Sequence, residues 1–476
     1  MNQQPPVPNT QPTPIPPTPG VQPGSTPQMV QTNFGTTPPS QEGGMSFGTI
    51  LKIIAGIVLV FVLGFILYQF VFIPFSGNIA GGKVTLTYWG LWEDNAVMQS
   101  TITDFESQHP EIAIQYIKQD PTDYSQRLIT RIPNGTGPDI FRYHATWLPM
   151  LTADLLPLPS SVITKDVLAK SYFPVVSQDM VKNGAIYGIP LDMDALALYT
   201  NNDLLQKAGL PIPTTWESFS SEAKAMTVKG SDGKIQTAGA ALGTFDNIAH
   251  APDIISLLLT QNGVDLKTMQ PQANASDALT FYTSFARGDE NSVWNNTLDN
   301  SELAFSHGQL AMYIGYSWDI FKIRSISATL PFTVSPVPHL PGRNNTIASY
   351  WVEGVSSKSV HAKEALLFMK FLAQKDTLEK LYTAETKTRA FGELYPRSDM
   401  TDLLKSNALI YPFVEQSSNS VSSFFAGETF DKGINGQMNK YLSTAVQSIL
   451  TSTSSDTAVV TLAQGVSQVL QQYGQR

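Results

Sequence analysis

The sequence predicts an α/β fold built on a largely parallel sheet, because strand and helix patterns alternate from residue 84 onward. Val84, Leu86 and Tyr88 alternate with threonines, which is typical of a strand. Apolar residues at helical spacing follow, and this pattern ends at Pro110. Residues 112–116 alternate again, so the segment is predicted to form a strand–helix–strand unit.

A second helix and a third strand extend this pattern. Tyr124, Leu128 and Ile132 recur at helical spacing, and a turn rich in glycine and proline at 134–138 follows them. A third strand is predicted to begin at 139–141. Ligands of parallel sheets bind beyond the carboxyl ends of the strands, so the segments that follow these strands are candidates for a ligand site. These segments are Trp89–Glu93, the turn near Tyr124 and Arg142–Trp147.

Two irregular extended segments later in the chain predict connections between two lobes. Residues 187–199 form a long extended stretch, and residues 335–342 contain several prolines and a glycine. Each segment would carry the chain from one lobe to the other. Further helices are predicted at 277–285 and at 362–372, where the apolar residues share one face.

The composition excludes several classes of function. The 476 residues include 30 Lys and Arg against 39 Asp and Glu, a net charge of −9 that argues against a general nucleic-acid binder. The absence of cysteine excludes disulfides, thiol catalysis and anchoring through a lipidated cysteine. The six histidines form no compact ligand motif, so we expect neither a metal nor a cofactor. Only 14% of residues are charged and 10% are aromatic, which favours a neutral partner that forms hydrogen bonds and stacks on rings.

The N-terminal region has three predicted parts. Residues 1–46 are rich in proline and glutamine and are predicted to be a disordered tail that acts as a tether; a partner-binding tail is the alternative. Residues 47–75 are predicted to be a transmembrane anchor, because the apolar run Ile53–Ile73 is long enough to cross a bilayer. The run is too long and too far from the N-terminus for a signal peptide. Lys52 favours the tail inside the cell, and residues 76–82 are a spacer.

The order of short motifs after residue 83 resembles the bacterial extracellular solute-binding proteins of the maltose-binding type, which are the capture subunits of ABC sugar importers. Each motif alone is weak, but together they cover nearly all of residues 83–476. The motifs are Leu86–Gly90, Phe105–Pro110, Gly137–Ile140, Tyr187–Pro190, Leu198–Leu205, Pro213–Phe219, Phe305–Met312, Gly315–Trp318 and Glu364–Leu372.

The resemblance implies the two-lobed α/β fold of periplasmic binding proteins of type II, in which crossing hinge strands join lobes that close on a ligand. The N-lobe is expected to comprise 83–192 plus 334–362, and the C-lobe 193–333 plus 363–476. The implied function is an extracytoplasmic, membrane-tethered capture protein of an ABC importer, without enzymatic activity. The expected partners are a small-molecule ligand, which is expected to be a carbohydrate, and the permease. The protein is expected to be a monomer.

The resemblance also implies a set of ligand-binding residues, and the chemistry of a sugar agrees with it. A sugar has apolar faces that stack on aromatic rings and hydroxyl groups that bind carboxylates, amides and cations. The implied residues are Trp89, Trp92, Glu93, Tyr124, Arg127, His144, Trp147, Asp192, Asp194, Asn247, His250, Trp318, Tyr350, Trp351 and Glu353, with Arg397 and Phe424 as further candidates. Asp139 and Trp216 are expected to be structural.

Three alternatives remain at this stage. The domain would also suit a membrane-anchored glycan-binding or sensory module without a transporter. A glycosidase would use Asp192 and Asp194, or Glu93, as its carboxylates. The same fold with another solute, such as an anion or a peptide, would need a cleft lined by cations and few aromatic residues.

Overall fold

The structure is a computed structural model that describes residues 83–475. The predicted tail at 1–46, the anchor at 47–75 and the spacer at 76–82 lie outside these residues, as does Arg476. Between residues 83 and 475, no helix combines the length and the apolar character that crossing a membrane requires.

Fifteen strands and sixteen α-helices make up the described chain. The strands are β1 (Val84–Gly90), β2 (Ile112–Lys118), β3 (Ile140–His144), β4 (Val181–Lys182), β5 (Ala185–Ile186), β6 (Ile189–Pro190), β7 (Asp194–Ala195), β8 (Ala197–Asn201), β9 (Val228–Lys229), β10 (Ile235–Ala240), β11 (Leu310–Gly315), β12 (Phe332–Pro336), β13 (Thr346–Ser349), β14 (Trp351–Val355) and β15 (Ser420–Val421). The helices are α1 (Asn95–Gln108), α2 (Tyr124–Arg131), α3 (Leu148–Leu151), α4 (Lys165–Ser171), α5 (Pro174–Met180), α6 (Asn202–Ala208), α7 (Trp216–Met226), α8 (Ala251–Gln261), α9 (Gln272–Thr283), α10 (Ser301–Ser306), α11 (Asp319–Ile326), α12 (Ala362–Leu372), α13 (Lys375–Glu385), α14 (Tyr411–Glu415), α15 (Ile434–Leu450) and α16 (Ser455–Gln472).

The first lobe contains a five-stranded sheet with the order β2-β1-β3-β14-β6. Strand β1 pairs in parallel with β2 and β3, as the alternation of strands and helices predicted. Strand β14 is antiparallel to β3, with Trp351 opposite His144 and Glu353 opposite Arg142. Two of the expected ligand residues, Trp351 and Glu353, therefore lie on a strand, where side chains have the fixed alternation of a sheet.

The second lobe contains a five-stranded sheet with the order β12-β8-β11-β10-β9. Strands β10 and β11 are parallel, whereas β8 is antiparallel to both β11 and β12. Loops at the carboxyl ends of β10 and β11 contain His250 and Trp318, respectively.

A short ribbon joins the two sheets, and the second passage between them runs through β13 and β14, after the segment predicted at 335–342. The stretch at 187–199 is divided into β6 of the first sheet, β7 of the ribbon and β8 of the second sheet. Strand β13 pairs antiparallel with β7, and on its other edge it pairs in parallel with β15. The described chain is thus a two-lobed α/β structure with a hinge ribbon of β15-β13-β7.

The last quarter of the chain is shared between the lobes, which corrects the expected boundary at 362/363. Helix α12 packs on the first sheet, where the ring of Phe368 lies 6.0 Å from the ring of Tyr88. The same ring lies 4.9 Å from that of Phe105 on α1. The apolar face of α12 is visible in the sequence, but the sheet that it covers depends on long-range packing. Helix α16 instead contacts α9 of the second lobe, through Thr280 and Ser455 at 2.6 Å.

Candidate functional site

A cavity of about 250 Å³ lies beside the hinge ribbon and is lined by residues of both lobes. This volume is slightly below the range of about 300–1,000 Å³ that is typical of small-molecule sites. The lining residues are Trp92, Asp192, Met193, Asp194, Trp318, Ser349, Trp351, Arg389, Glu393, Leu394, Gly427, Glu428 and Phe430. Five of them, Trp92, Asp192, Asp194, Trp318 and Trp351, belong to the expected site.

Four aromatic rings form much of the cavity wall. Trp92 meets Trp351 edge to face at a centroid distance of 5.3 Å and lies 6.1 Å from Phe430. Trp318 is stacked on Tyr316 at 4.3 Å with an interplanar angle of 18°, so one face of its indole is backed by a second ring. Rings held in this way present flat apolar surface without losing side-chain entropy when a ligand binds.

Asp194 is fixed at the hinge by two backbone donors. The N–H of Ala195 donates to Oδ1 at 2.7 Å, and the N–H of Ser317 donates to Oδ2 at 2.7 Å. The second bond ties the hinge ribbon to the loop after β11. Burial raises the pKa of the Asp194 carboxyl to about 7, although these two donors act in the opposite direction.

Asp192 has no comparable partner. It is 8% exposed and lines the cavity, yet no hydrogen-bond donor within residues 83–475 reaches its carboxylate. The nearest cationic nitrogen is Nη1 of Arg142, 3.9 Å from Oδ2. Burial raises the pKa of Asp192 well above its ordinary value, and the Arg142 charge offsets only part of this effect.

Arg142 lies beneath the cavity in a buried ion-pair cluster. Its Nη1 donates to Glu93 at 2.6 Å and its Nε donates to Glu353 at 2.6 Å, and all three side chains are buried. Glu93 and Glu353 were expected to bind the ligand, but neither lines the cavity. Their positions after β1 and on β14 turn both carboxylates toward the central strand β3, a register that the sequence alone does not reveal.

Three of the expected aromatic plates belong to the first lobe's core instead. Trp89, Tyr124 and Trp147 are at most 8% exposed. The hydroxyl of Tyr124 donates to the backbone carbonyl of Arg142 at 2.8 Å. The ring of Trp147 packs edge to face against Trp351 at 5.2 Å, so it supports a cavity residue from behind.

Two other expected ligand residues donate hydrogen bonds to other residues of the chain and do not line the cavity. Tyr350 is buried, and its hydroxyl donates to Asp179 at 2.6 Å. Arg127 donates from Nη1 to the backbone carbonyl of Thr122 at 2.6 Å, on an exposed turn. Both side chains are therefore assigned to structure rather than to the cavity.

His144 and His250 are buried next to the cavity without lining it. The ring of His144 contacts Ser349 at 3.2 Å, and burial lowers its pKa to about 3, so this histidine is neutral. His250 pairs with Asp319 at 2.8 Å. Burial lowers the pKa of His250, but the Asp319 carboxylate outweighs this effect and raises it to about 10. The ring of His250 packs edge to face on Trp318 at 6.1 Å and helps to position it.

The remaining candidates lie away from the cavity. Asn247 accepts a hydrogen bond from the indole of Trp294 at 3.2 Å and thereby holds its own loop. Arg397 forms a bidentate pair with Asp399 at 3.0 Å. Phe424 lines a separate open groove of about 620 Å³, which lies at the β15 side of the ribbon.

The two residues expected to be structural are confirmed as such. Oδ2 of Asp139 accepts hydrogen bonds from the backbone N–H and the hydroxyl of Thr87, at 2.8 and 2.9 Å. Trp216 is buried at the start of α7, where Thr215 forms a capping box, and its indole donates to Gln261 at 2.7 Å.

The C-terminal segments supply a part of the cavity wall that was not predicted from the sequence. Arg389 and Glu393 are spaced like an i, i+4 pair and are joined at 2.8 Å, which was the one available signal. Glu428 and Phe430 have left-handed backbone angles, with φ of 51° and 58°. Such angles are strained for residues other than glycine and are enriched at functional sites. No local pattern in the sequence indicates them.

The described residues also contain one group of carboxylates with spacing suited to a cation. Glu93, Glu385 and Glu393 each bring one oxygen within 4.8 Å of the others. Arg389 already contributes a positive charge here, because its guanidinium lies 3.0 Å from Glu385 and 2.8 Å from Glu393. Burial, followed by repulsion from Glu393, raises the pKa of Glu385 to about 8, so this group also has the capacity to hold a proton.

Comparisons with known proteins identify the family and the fold. The family model for bacterial extracellular solute-binding proteins matches residues 89–378. The "Multiple sugar-binding protein" of Streptococcus mutans is 22% identical over 372 residues, which cover 73% of this chain and 86% of that protein. A maltooligosaccharide ABC transporter solute-binding lipoprotein of Streptococcus pneumoniae is 24% identical over 232 residues, covering 44% of this chain and 52% of that protein. A solved cyclo/maltodextrin-binding protein in complex with maltotetraose aligns with a TM-score of 0.66 and 17% identity, covering 83% of this chain and 99% of that one.

The raised pKa of Asp194 predicts that stability depends on pH. The folded state holds the Asp194 proton up to about pH 7, whereas an unfolded aspartate loses it near its ordinary value of 3.8. This group therefore lowers the free energy of unfolding as pH rises from about 4 to 7, by at most about 1.4 kcal/mol per pH unit. Urea unfolding across this range should give a flatter pH dependence for Asp194→Asn than for the wild type. Asp277→Asn, at an exposed position, should keep the wild-type slope, and equal slopes for all three would contradict the assignment.

The Arg142 cluster predicts a large and specific loss of stability. Arg142→Met leaves the carboxylates of Glu93 and Glu353 buried without a cation, which should cost about 3–5 kcal/mol in urea unfolding. Lys118→Met removes an exposed ion pair with Asp94 and should leave the unfolding midpoint unchanged. Equal effects of the two substitutions would show that the buried cluster has no special role.

Proposed function

Because the chain belongs to the family of bacterial extracellular solute-binding proteins, we propose that it is the extracytoplasmic capture subunit of an ABC importer and that its ligand is a saccharide. The observation that carries this proposal is the cavity beside the hinge, where Trp92, Trp318 and Trp351 surround carboxylate acceptors. Two relatives, a multiple sugar-binding protein and a maltooligosaccharide ABC transporter solute-binding lipoprotein, are named for the same class of ligand.

The lining residues match the two kinds of surface on a pyranose ring. Its C–H faces are apolar and stack on indole rings. Trp318 suits this contact because its indole is itself stacked on the ring of Tyr316. Its hydroxyl groups need acceptors and donors at the ring edge, and Asp192 and Ser349 lie on the cavity wall. The cavity would hold a saccharide of limited length unless the lobes move apart.

Capture depends on contacts from both lobes. Trp92 and Trp351 come from the first lobe, and Trp318 comes from the second. A ligand that touches all three is bound more tightly by the closed arrangement, so it shifts the population toward closure. The permease would then recognise the closed form, and the protein performs no covalent step.

We further propose that residues 47–75 tether the domain to the membrane with the binding domain outside the cell and the tail at 1–46 inside. The Streptococcus pneumoniae relative is a lipoprotein by name, whereas this chain contains no cysteine to lipidate. A spanning segment would serve the same purpose, because a tether raises the concentration of the capture protein near the permease.

The proposed function predicts a ligand-dependent thermal shift that requires Trp318. Neutral and amino oligosaccharides, amino acids and inorganic phosphate are screened against the full-length protein, and at least one saccharide should raise the melting temperature. In Trp318→Ala the dissociation constant for that saccharide should rise at least tenfold, because its stacking platform is lost.

The matched control is Trp216→Phe, which changes a buried tryptophan remote from the cavity and should leave the dissociation constant unchanged. A protein that responds only to phosphate or amino acids, or a Trp318→Ala variant that binds saccharide normally, would contradict the proposal.

A further inference from the structure

The cavity has an acidic lining that a neutral saccharide does not require. Four of its residues, Asp192, Asp194, Glu393 and Glu428, are acidic, whereas Arg389 is the one basic residue. The guanidinium of Arg389 is already engaged by two carboxylates, which lie 2.8 and 3.0 Å away. The acidic groups of the lining therefore outnumber its basic groups, and the basic group is already paired within the chain.

The four carboxylates differ in the hydrogen bonds and ion pairs that they form with other residues of the chain. Both oxygens of Asp194 accept backbone hydrogen bonds at 2.7 Å. Glu393 is paired with Arg389, and Glu428 is exposed. Asp192 is 8% exposed, and among the buried carboxylates of the lining it is the one that receives no hydrogen bond from residues 83–475. It is thus the buried acceptor that is available to a ligand.

Arg142 does not neutralise Asp192. The two groups are 3.9 Å apart, beyond hydrogen-bond distance, whereas Glu93 and Glu353 each hold the same guanidinium at 2.6 Å. Two carboxylates on one guanidinium leave a formal negative charge directly beneath Asp192. Burial raises the pKa of Asp192 and favours its neutral form, so the carboxyl ionises at low cost only when a ligand supplies a counter-charge.

A hydroxyl group and an ammonium group differ in what they give to such a carboxylate. A hydroxyl donates a hydrogen bond but leaves the charge uncompensated, whereas an ammonium group supplies both the donor and the opposite charge. The indole faces of Trp92, Trp318 and Trp351 suit either group, since they attract cations as well as apolar C–H surfaces. The charge balance therefore decides between the two.

We propose that the captured saccharide carries a protonated amino group, as an amino sugar with a free amine does, and that Asp192 binds this group. The inference rests on the proposed function, because it specifies the class of saccharide in the same cavity. N-acetylation removes the charge of the amine, so an N-acetylated saccharide falls outside the proposed class.

The experiment is a calorimetric titration of the full-length protein with three tetrasaccharides. These are the tetramer of glucosamine, its fully N-acetylated counterpart and maltotetraose, all at one pH below the amine pKa and at low and high salt. The free-amine tetramer should bind at least tenfold more tightly than the other two. Its advantage should shrink as salt rises, because the added interaction is electrostatic.

Variants at Asp192 test whether this residue binds the amino group of the saccharide. Asp192→Asn keeps the size of the side chain and should abolish the preference for the free amine, whereas Asp192→Glu keeps the charge and should retain part of it. Asp277→Asn, on the exposed face of α9, should behave as the wild type. Thermal unfolding of each variant shows that any loss of binding comes from a folded protein.

The outcomes separate this inference from the proposed function. If maltotetraose or the acetylated tetramer binds as tightly as the free amine, the inference is overturned while saccharide capture stands. If Asp192→Asn keeps the full preference for the amine, the assignment to Asp192 is wrong. If no saccharide in this set or in the thermal-shift screen binds, the inference and the proposed function both fail.

Discussion

The antiparallel pairing of β7 with β13 is the constraint on which the rest of the structure depends. Ala348 lies opposite Ala195 and Ser349 lies opposite Asp194, so two short strands hold both crossings in one register. Asp192 precedes this pairing, and Trp351 follows it. A slip of one residue in either strand would turn these side chains away from the cavity, because successive residues on a strand point to opposite faces.

The buried cluster beneath the cavity supports the same region from the first lobe. Arg142 joins the loop after β1 to β14 through Glu93 and Glu353, so three neighbouring segments are tied together under Asp192. A buried ion pair is weak evidence for stability, since desolvation offsets much of its attraction. Its consequence for function is clearer, because Glu93 and Glu353 occupy the guanidinium of Arg142 and leave Asp192 without a hydrogen bond from it.

The sequence predicted the elements whose signal is local. The alternation around Val84, the crossing at 187–199 and the positions of Trp92, Trp318 and Trp351 on the cavity agree with the structure. The sequence predicted site residues poorly wherever the direction of a side chain depends on a partner distant in the chain. Trp89, Tyr124 and Trp147 proved to be core. The part of the wall that comes from the C-terminal segments was missed, because strained loop geometry and lobe packing leave no periodic pattern.

Closure of the two lobes on a saccharide is the central claim, and a distance measurement between the lobes tests it most directly. The chain has no cysteine, so Asp94→Cys and Asp246→Cys would give two unique labelling sites, one exposed position on each lobe near the ends of β1 and β10. Electron–electron double resonance between spin labels at these sites should show a shorter distance when saccharide is added. A saccharide that binds while the distance stays unchanged would contradict the account.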